Sequence, residues 1–201
     1  PPATPTEAAH TRALQLLDRH GVVTREAALA EDTPGGYAGV YPVLKAMEDA
    51  GTVRRGYFVA GLGAAQFAMP GAVDRLRAAR VPTGDEPAAL VLAAADPAQP
   101  YGAALPWPAA AGRPSRAAGA YIVLVDGTIA AFLERGGRSL TTFGVDAEPW
   151  ADALASLVKD GRLRRVELVR IDGEPSAASP HAERLRLAGF VDGYRGLTLR
   201  G

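Results

Sequence analysis

The chain of 201 residues contains no cysteine. That absence excludes thiolate metal sites, disulfide scaffolds and cysteine nucleophiles together, and it suits a reducing, cytoplasmic setting. Neither sign of charge is in excess: Lys+Arg and Asp+Glu both number 22, so net electrostatics gives no attraction to nucleic acid. No apolar run approaches the length of a membrane span, and the opening PPATPTEAAHTRALQLLDRHG has neither the basic start nor the apolar core of a secretion signal. It also lacks an initiator Met, as expected of a fragment of a longer protein. His10, His20 and His181 are scattered, with no H-x-x-x-H spacing, so no metal site is expected. No G-x-S-x-G elbow supports a serine triad.

The charges that are present are spread over three segments. Residues 1–81 carry nine basic and eight acidic side chains, 82–150 four and seven, and 151–201 nine and seven. Any affinity for nucleic acid must therefore come from local clusters and be salt-sensitive. TPTE is a capping box, with Thr4 as N-cap, Pro5 at N1 and Glu7 at N3, which predicts a helix from Pro5 to Arg19 that ends at Gly21. Thr24 caps a second helix, which TPGG stops. Val40, Val43, Leu44 and Met47 fall at i, i+3, i+4 and i+7 and mark the apolar face of a third helix. Pro42 predicts either that its regular part begins there or that it is kinked. TVRRGYFVAGLGAAQFAMP then reads as strand, glycine turn, strand, with strands at Val53 to Val59 and Gln66 to Met69. Three helices and a two-stranded wing predict a winged-helix domain over 1–81.

A proline-bearing linker from Val81 to Pro87 marks the boundary. AALVLAAA is an apolar strand that leads into ADPAQPYGAALPWP, with four prolines in fourteen residues. GAYIVLVDGTIAAFLERGGRSLTTF predicts three strands joined at Asp126-Gly127 and Gly136-Gly137. The expectation for 88–201 is a small antiparallel β-barrel followed by an α/β tail, helix, strand, helix, strand, whose second helix is capped at Ser179-Pro180 and closed by Gly189. The fold class as a whole is α+β.

Taken in order, the helix-and-wing segment GVVTREAALAEDTPGGYAGVYPVLKAMEDAGTVRRGYFVAGLGAAQFAMPGAVDRLR, then DPAQPYGAALPWP and GRPSRAAGAYIVLVDGTIAAFLERGGRSL, resemble the C-terminal region of the large helicase-related (Lhr) proteins. The resemblance covers nearly all of the chain from Arg19 onward. It implies a superfamily 2, ATP-dependent DNA helicase connected with DNA repair, whose C-terminal extension is built from winged-helix modules and a β-barrel. It also implies ATP and Mg in a motor that lies elsewhere, because this sequence has no G-x-x-x-x-G-K-[ST] loop and no Asp-Glu-x-His box. The implied partners are DNA or an RNA–DNA hybrid, the upstream winged-helix modules and helicase core of the same chain, and further copies of the chain. No cofactor is expected within these residues.

The candidate nucleic-acid residues are Arg25, Tyr37, Tyr41, Lys45, Arg54 and Arg55. Tyr37, Tyr41 and Lys45 recur every four residues and predict an exposed stripe on the third helix, with the arginines supplying phosphate contacts. The competing reading is packing against neighbouring modules, since Glu48 and Asp49 on the same helix repel phosphate. GRLRRVELVR spreads Arg162, Arg164, Arg165 and Arg170 over both faces of a strand and is read as a solvated edge. Two further functions stand beside DNA binding: uracil removal by a DNA glycosylase module, which the resemblance implies, and a structural or oligomerisation role, which the neutral charge and 48% hydrophobic content suit. A glycosylase needs a stacked extruded base, a side chain reading its edge and a carboxylate. Tyr101 or Trp107, Gln99 and Asp96 could fill these roles on one loop, with Asp126, Asp146 and Asp192 as the next carboxylates. The Gln-x-Gln motif of AlkZ-type glycosylases is absent, the glutamines being Gln15, Gln66 and Gln99. The bland reading of the loop is a rigid corner in which Pro97, Pro100, Pro106 and Pro108 stiffen a barrel connection, Asp96 caps its turn, and the aromatics close the barrel's end or cover the winged helix.

Overall fold

The computed structural model describes residues 2–79, 87–145 and 149–201. The chain divides into two compact units, residues 1–82 with 103–106, and residues 83–102 with 107–201. Val81–Glu86 of the expected linker lie outside the described residues.

The first unit begins with α1 (Pro5–His20), started by the capping box foreseen in the sequence. The Glu7 carboxylate accepts from the Thr4 N–H at 2.8 Å, and the Glu7 N–H donates to Thr4 Oγ1 at 3.3 Å. The Thr4 N–H and the Thr4 hydroxyl, both donating to the Glu7 carboxylate at 2.8 Å, hold the Glu7 carboxyl below its ordinary range. After Gly21 come β1 (Val22–Val23) and α2 (Arg25–Ala30), the latter capped by buried Thr24. Next is α3 (Gly36–Asp49), which starts six residues before Pro42 and runs through it. Glycine makes this start possible: a Cβ on Gly39 would sit 2.3 Å from the Pro34 carbonyl oxygen. The strands β2 (Arg54–Gly56) and β3 (Gln66–Ala68) form the wing, and α4 (Pro70–Ala78) follows. The sheet order is β1-β3-β2. Leu16, Leu17, Val23, Val40, Leu44, Met47, Val53 and Phe67 make one core, so the i, i+3, i+4, i+7 face of α3 is buried as its spacing requires, although Val43 is only partly buried.

The second unit holds β4 (Ala89–Ala93), β5 (Tyr121–Val125), β6 (Thr128–Leu133), β7 (Ser139–Thr142), α5 (Pro149–Lys159), β8 (Arg165–Leu168), β9 (Arg170–Ile171), β10 (Glu174–Pro175), a 3₁₀ turn (Ser176–Ala178), α6 (Ala182–Leu187), β11 (Val191–Gly193) and β12 (Gly196–Arg200). The β5–β6 turn has Asp126 at φ 49° and Gly127 at φ 79°, the left-handed pair that an Asp-Gly hairpin demands.

The expected barrel is not closed among the described residues. The strands form an open sheet, β10-β9-β7-β6-β5-β4, and a separate one, β11-β12-β8. Closure is not needed to bury the sheet, because both faces of β5 and β6 are covered. Val123, Val125 and Leu133 pack with Trp150, Leu154, Leu157 and Leu197. On the opposite face Ile122, Leu124, Ile129 and Phe132 pack with Tyr101 and Trp107. In the tail, α6 begins at Ala182 rather than at Pro180: Ser179 Oγ accepts the His181 N–H at 3.2 Å and closes a turn ahead of the helix. No helix among the described residues is long and apolar enough to cross a membrane.

Candidate nucleic-acid interface

Helix α3 presents three faces. One is the core face just described. A second is the seam against the wing, and it takes the tyrosines that sequence spacing placed in an exposed stripe. The Tyr37 hydroxyl donates to the Ala65 carbonyl, and its ring lies 5.7 Å from that of Tyr41. Tyr41 in turn meets Phe67 edge-on at 5.9 Å. Burial, with the neighbouring Tyr41, pushes the Tyr37 phenol up to about 12. On the same seam Arg55 Nε pairs with Glu48 Oε1 at 3.2 Å. The stripe is thus half-buried because the wing folds back over it, a contact distant in sequence that helical periodicity does not encode.

The third face is open to solvent and carries Ala38, Gly39, Pro42, Lys45, Ala46 and Asp49. Lys45 there, Arg54 on β2 and Arg25 at the start of α2 are exposed, and none has an ion-pair partner among the described residues. Arg25 rims a depression lined by Leu29, Gly36, Tyr37, Tyr41 and Pro42. Of the six residues expected at this interface, three are exposed unpaired cations and three are engaged in the seam.

Two wing residues escaped the sequence reading. Tyr57, just past β2, is 88% exposed, an aromatic ring beside the two arginines. Gln66 is completely buried and supplies what the short wing ladder lacks. Its Oε1 accepts from the Phe58 and Val59 N–H groups, both at 2.8 Å, and its Nε2 donates to the Val59 and Leu62 carbonyls at 3.0 and 3.3 Å. The expected strand from Val53 to Val59 shortens to Arg54–Gly56 because this side chain replaces the partner strand. A glutamine beside a glycine-rich turn is the only sequence signal of that arrangement.

In the proline-rich loop Pro97, Ala98, Pro106 and Pro108 are exposed, while Asp96, Gln99, Tyr101 and Trp107 are at least partly covered. Asp96 Oδ1 accepts the Ala98 N–H at 2.8 Å, fixing a turn. Gln99 is buried, donates to the Ala94 and Tyr101 carbonyls at 3.0 and 2.8 Å, and accepts the Tyr101 N–H. Arg116 ties the loop down by donating to the carbonyls of Gln99 at 2.5 Å and Asp96 at 3.0 Å. Tyr101 stacks on Trp107 at 6.2 Å, and Trp107 meets Phe132 edge-on at 5.7 Å. Of the alternative carboxylates, Asp126 accepts the Ala88 N–H at 3.0 Å and Asp192 pairs with Arg186 at 2.8 Å. Asp146 lies outside the described residues.

A second polar cluster was not anticipated. Asp172 accepts from the Thr142 N–H and hydroxyl, both at 2.7 Å, and His181 Nε2 lies 3.4 Å from the same hydroxyl with its ring against Trp150. It fastens β7 to the β9–β10 turn and to α6, whereas the sequence separates its members by up to 39 positions. Gly61 and Gly63 sit in the wing rather than ahead of a helix, and no three His, Asp or Glu side chains converge among the described residues.

A helix pair packed on a third helix, backed by a three-stranded sheet whose last hairpin projects as a wing, defines a winged-helix domain. Residues 2–88 match the family model described as large helicase-related protein, winged-helix domain. Over 97% of its length the chain is 49% identical to a Mycolicibacterium smegmatis protein named Lhr helicase/probable uracil glycosylase. Over 98% of its length it is 35% identical to the Escherichia coli Lhr helicase/uracil glycosylase. The chain belongs to the Lhr family, and it spans 14% and 13% of the length of these two relatives.

Proposed function

We propose that the winged-helix unit is a nucleic-acid-binding accessory module of an Lhr-type helicase acting in DNA repair, and that it engages DNA or an RNA–DNA hybrid with little sequence preference. The observation that carries this reading is the set of exposed cations Arg25, Lys45 and Arg54 around α3 and the wing, without an ion-pair partner among the described residues, with Tyr57 next to them in the wing. Phosphate contacts from such side chains position a duplex without reading it. Base reading needs bidentate Arg, Asn or Gln side chains in a groove. The solvent face of α3 offers instead alanine, glycine, proline, one lysine and one aspartate. ATP and Mg belong, on this reading, to motor domains outside these residues.

The test is fluorescence anisotropy with a labelled duplex over a salt series. Replacing Arg25, Lys45 and Arg54 together with Ala should weaken binding and flatten the log–log salt slope by up to about 2.7, at roughly 0.9 per lost phosphate contact. Arg55→Ala should change it less, since Glu48 already occupies that guanidinium. A folded triple variant with the wild-type slope would remove the basis for the reading.

Uracil removal is a second reading, supported by the names of both relatives. The loop residues Asp96, Gln99, Tyr101 and Trp107 are its candidates by sequence. Base release from uracil-containing single-stranded DNA, compared between wild type and Asp96→Asn, tests it directly. Equal release by both proteins would take Asp96 out of the chemistry, and no release by wild type would end the reading for this segment.

A further inference from the structure

The C-terminal sheet carries three features on β11, β12 and β8 that its fold does not require. Strand β12 lies between β11 and β8, and Leu197 and Leu199 turn into the core, so Arg200 faces outward by alternation. Arg200 stands directly opposite Arg165 on β8. Like charges facing each other across strands destabilise a sheet. Glu167 relieves this pair only weakly, at 3.5 Å from Arg165.

The second feature is the turn between β11 and β12. Gly193 pairs with Gly196, which leaves Tyr194 and Arg195 as the two turn residues. Such turns ordinarily take Asn, Asp or Gly at both central positions, because those residues accept positive φ. Here neither central residue has positive φ, and the unusual backbone falls on Gly196, at φ 149°. A Cβ there would lie 2.1 Å from the Leu168 carbonyl oxygen and 2.4 Å from Ser176 Oγ. A glycine beside the turn therefore frees its tip to present a fully exposed tyrosine and an exposed arginine.

The third feature is the state of the hairpin's acid. Asp192 accepts from Arg186 Nη2 at 2.8 Å and from Nε at 3.2 Å, a bidentate pair that pins β11 to α6 and neutralises the carboxylate. Arg195 and Arg200 have no ion-pair partner among the described residues.

We propose that this surface, from the Tyr194–Arg195 tip to the Arg200–Arg165 pair, binds single-stranded DNA. Phosphates bridging the facing arginines turn an unfavourable pair into a favourable one, and the Tyr194 ring offers a platform for an unstacked base. Bases in a duplex are already stacked on each other, so the ring gains little from double-stranded DNA. An acidic peptide would satisfy the arginines and leave the ring idle, which is why the strand is the better fit.

The 201-residue chain is titrated with a labelled oligo-dT strand and with its dT·dA duplex over a salt series. The variant Tyr194→Ala/Arg195→Ala/Arg200→Ala alters exposed side chains, and its thermal unfolding checks the fold. Strand affinity should fall about tenfold or more, and the salt slope should become shallower by about 1.4, for two phosphates at roughly 0.7 each. Duplex affinity should change far less. In a separate protein, Tyr194→Trp, indole emission should be quenched by the strand and not by the duplex. The winged-helix reading is tested apart from this one: replacing Arg25, Lys45 and Arg54 with Ala in the Tyr194→Trp protein should weaken duplex binding and keep the strand-induced quenching at position 194. The proposal is overturned if wild type does not bind the strand, if the hairpin variant keeps wild-type strand affinity and slope, or if the Tyr194→Trp emission ignores the strand.

Discussion

Gln66 is the position at which the wing's shape depends on one side chain, and the consequence can be worked out. Gln66→Leu keeps the approximate volume but removes four hydrogen bonds to the wing backbone, two accepted and two donated. At about 0.5–1.5 kcal/mol net for each bond, with water reaching part of the freed wing, the loss should be about 2–4 kcal/mol. For a unit of this size, that lowers the midpoint of its thermal transition by roughly 10 °C or more. Gln66→Glu is sharper. Its carboxylate can still accept from the Phe58 and Val59 N–H groups, but it faces the Val59 and Leu62 carbonyls with nothing to donate. The buried acid gains from staying protonated, so its folded-state pKa lies above the unfolded value of about 4.3. Stability is then fullest below that value and falls as pH rises toward the folded pKa. Urea unfolding of wild type, Gln66→Leu and Gln66→Glu at pH 4 and pH 7, with amide exchange at Phe58 and Val59, reads all of this. The reasoning fails if Gln66→Leu costs under about 0.5 kcal/mol with exchange unchanged, or if Gln66→Glu is equally destabilised at both pH values.

Gly102 has φ 74°, and a Cβ there would lie 2.2 Å from Trp107 Nε1. Gly102→Ala should therefore displace the indole from Phe132, destabilise the second unit by about 2 kcal/mol or more, and shift tryptophan emission to the red. Tyr37→Phe should remove the phenol that ionises near pH 12 from the alkaline absorbance titration. Because that phenol's folded pKa is raised, its contribution to stability is complete below about pH 10 and is lost as pH rises toward 12. A wild-type protein and a Tyr37→Phe variant with the same alkaline unfolding profile would count against the half-buried bond to Ala65.

Local chemistry was legible in the sequence wherever one short segment decides the outcome. The Thr4–Glu7 box, the Asp126-Gly127 turn and the core face of α3 at Val40, Leu44 and Met47 follow from spacing and backbone preference alone, and all are present. The family, too, could be read from the order of helices, wing, proline-rich loop and hairpins. What required the tertiary structure was each choice between partners distant in the chain. Tyr37, Tyr41 and Lys45 share one helical spacing, yet only the return of the wing decides that the two tyrosines are covered and the lysine is not. Asp96, Gln99, Tyr101 and Trp107 have the composition of a reactive loop, and their geometry is set by the sheet face and by Arg116. Arg165 and Arg200 lie 35 positions apart and become a charged pair only through the register of β8 with β12. Sequence fixes backbone preference and hydrophobic period because both act over a few residues. Exposure, ion pairing and the sharing of a face depend on which distant strands and side chains arrive beside them, and folding alone settles that.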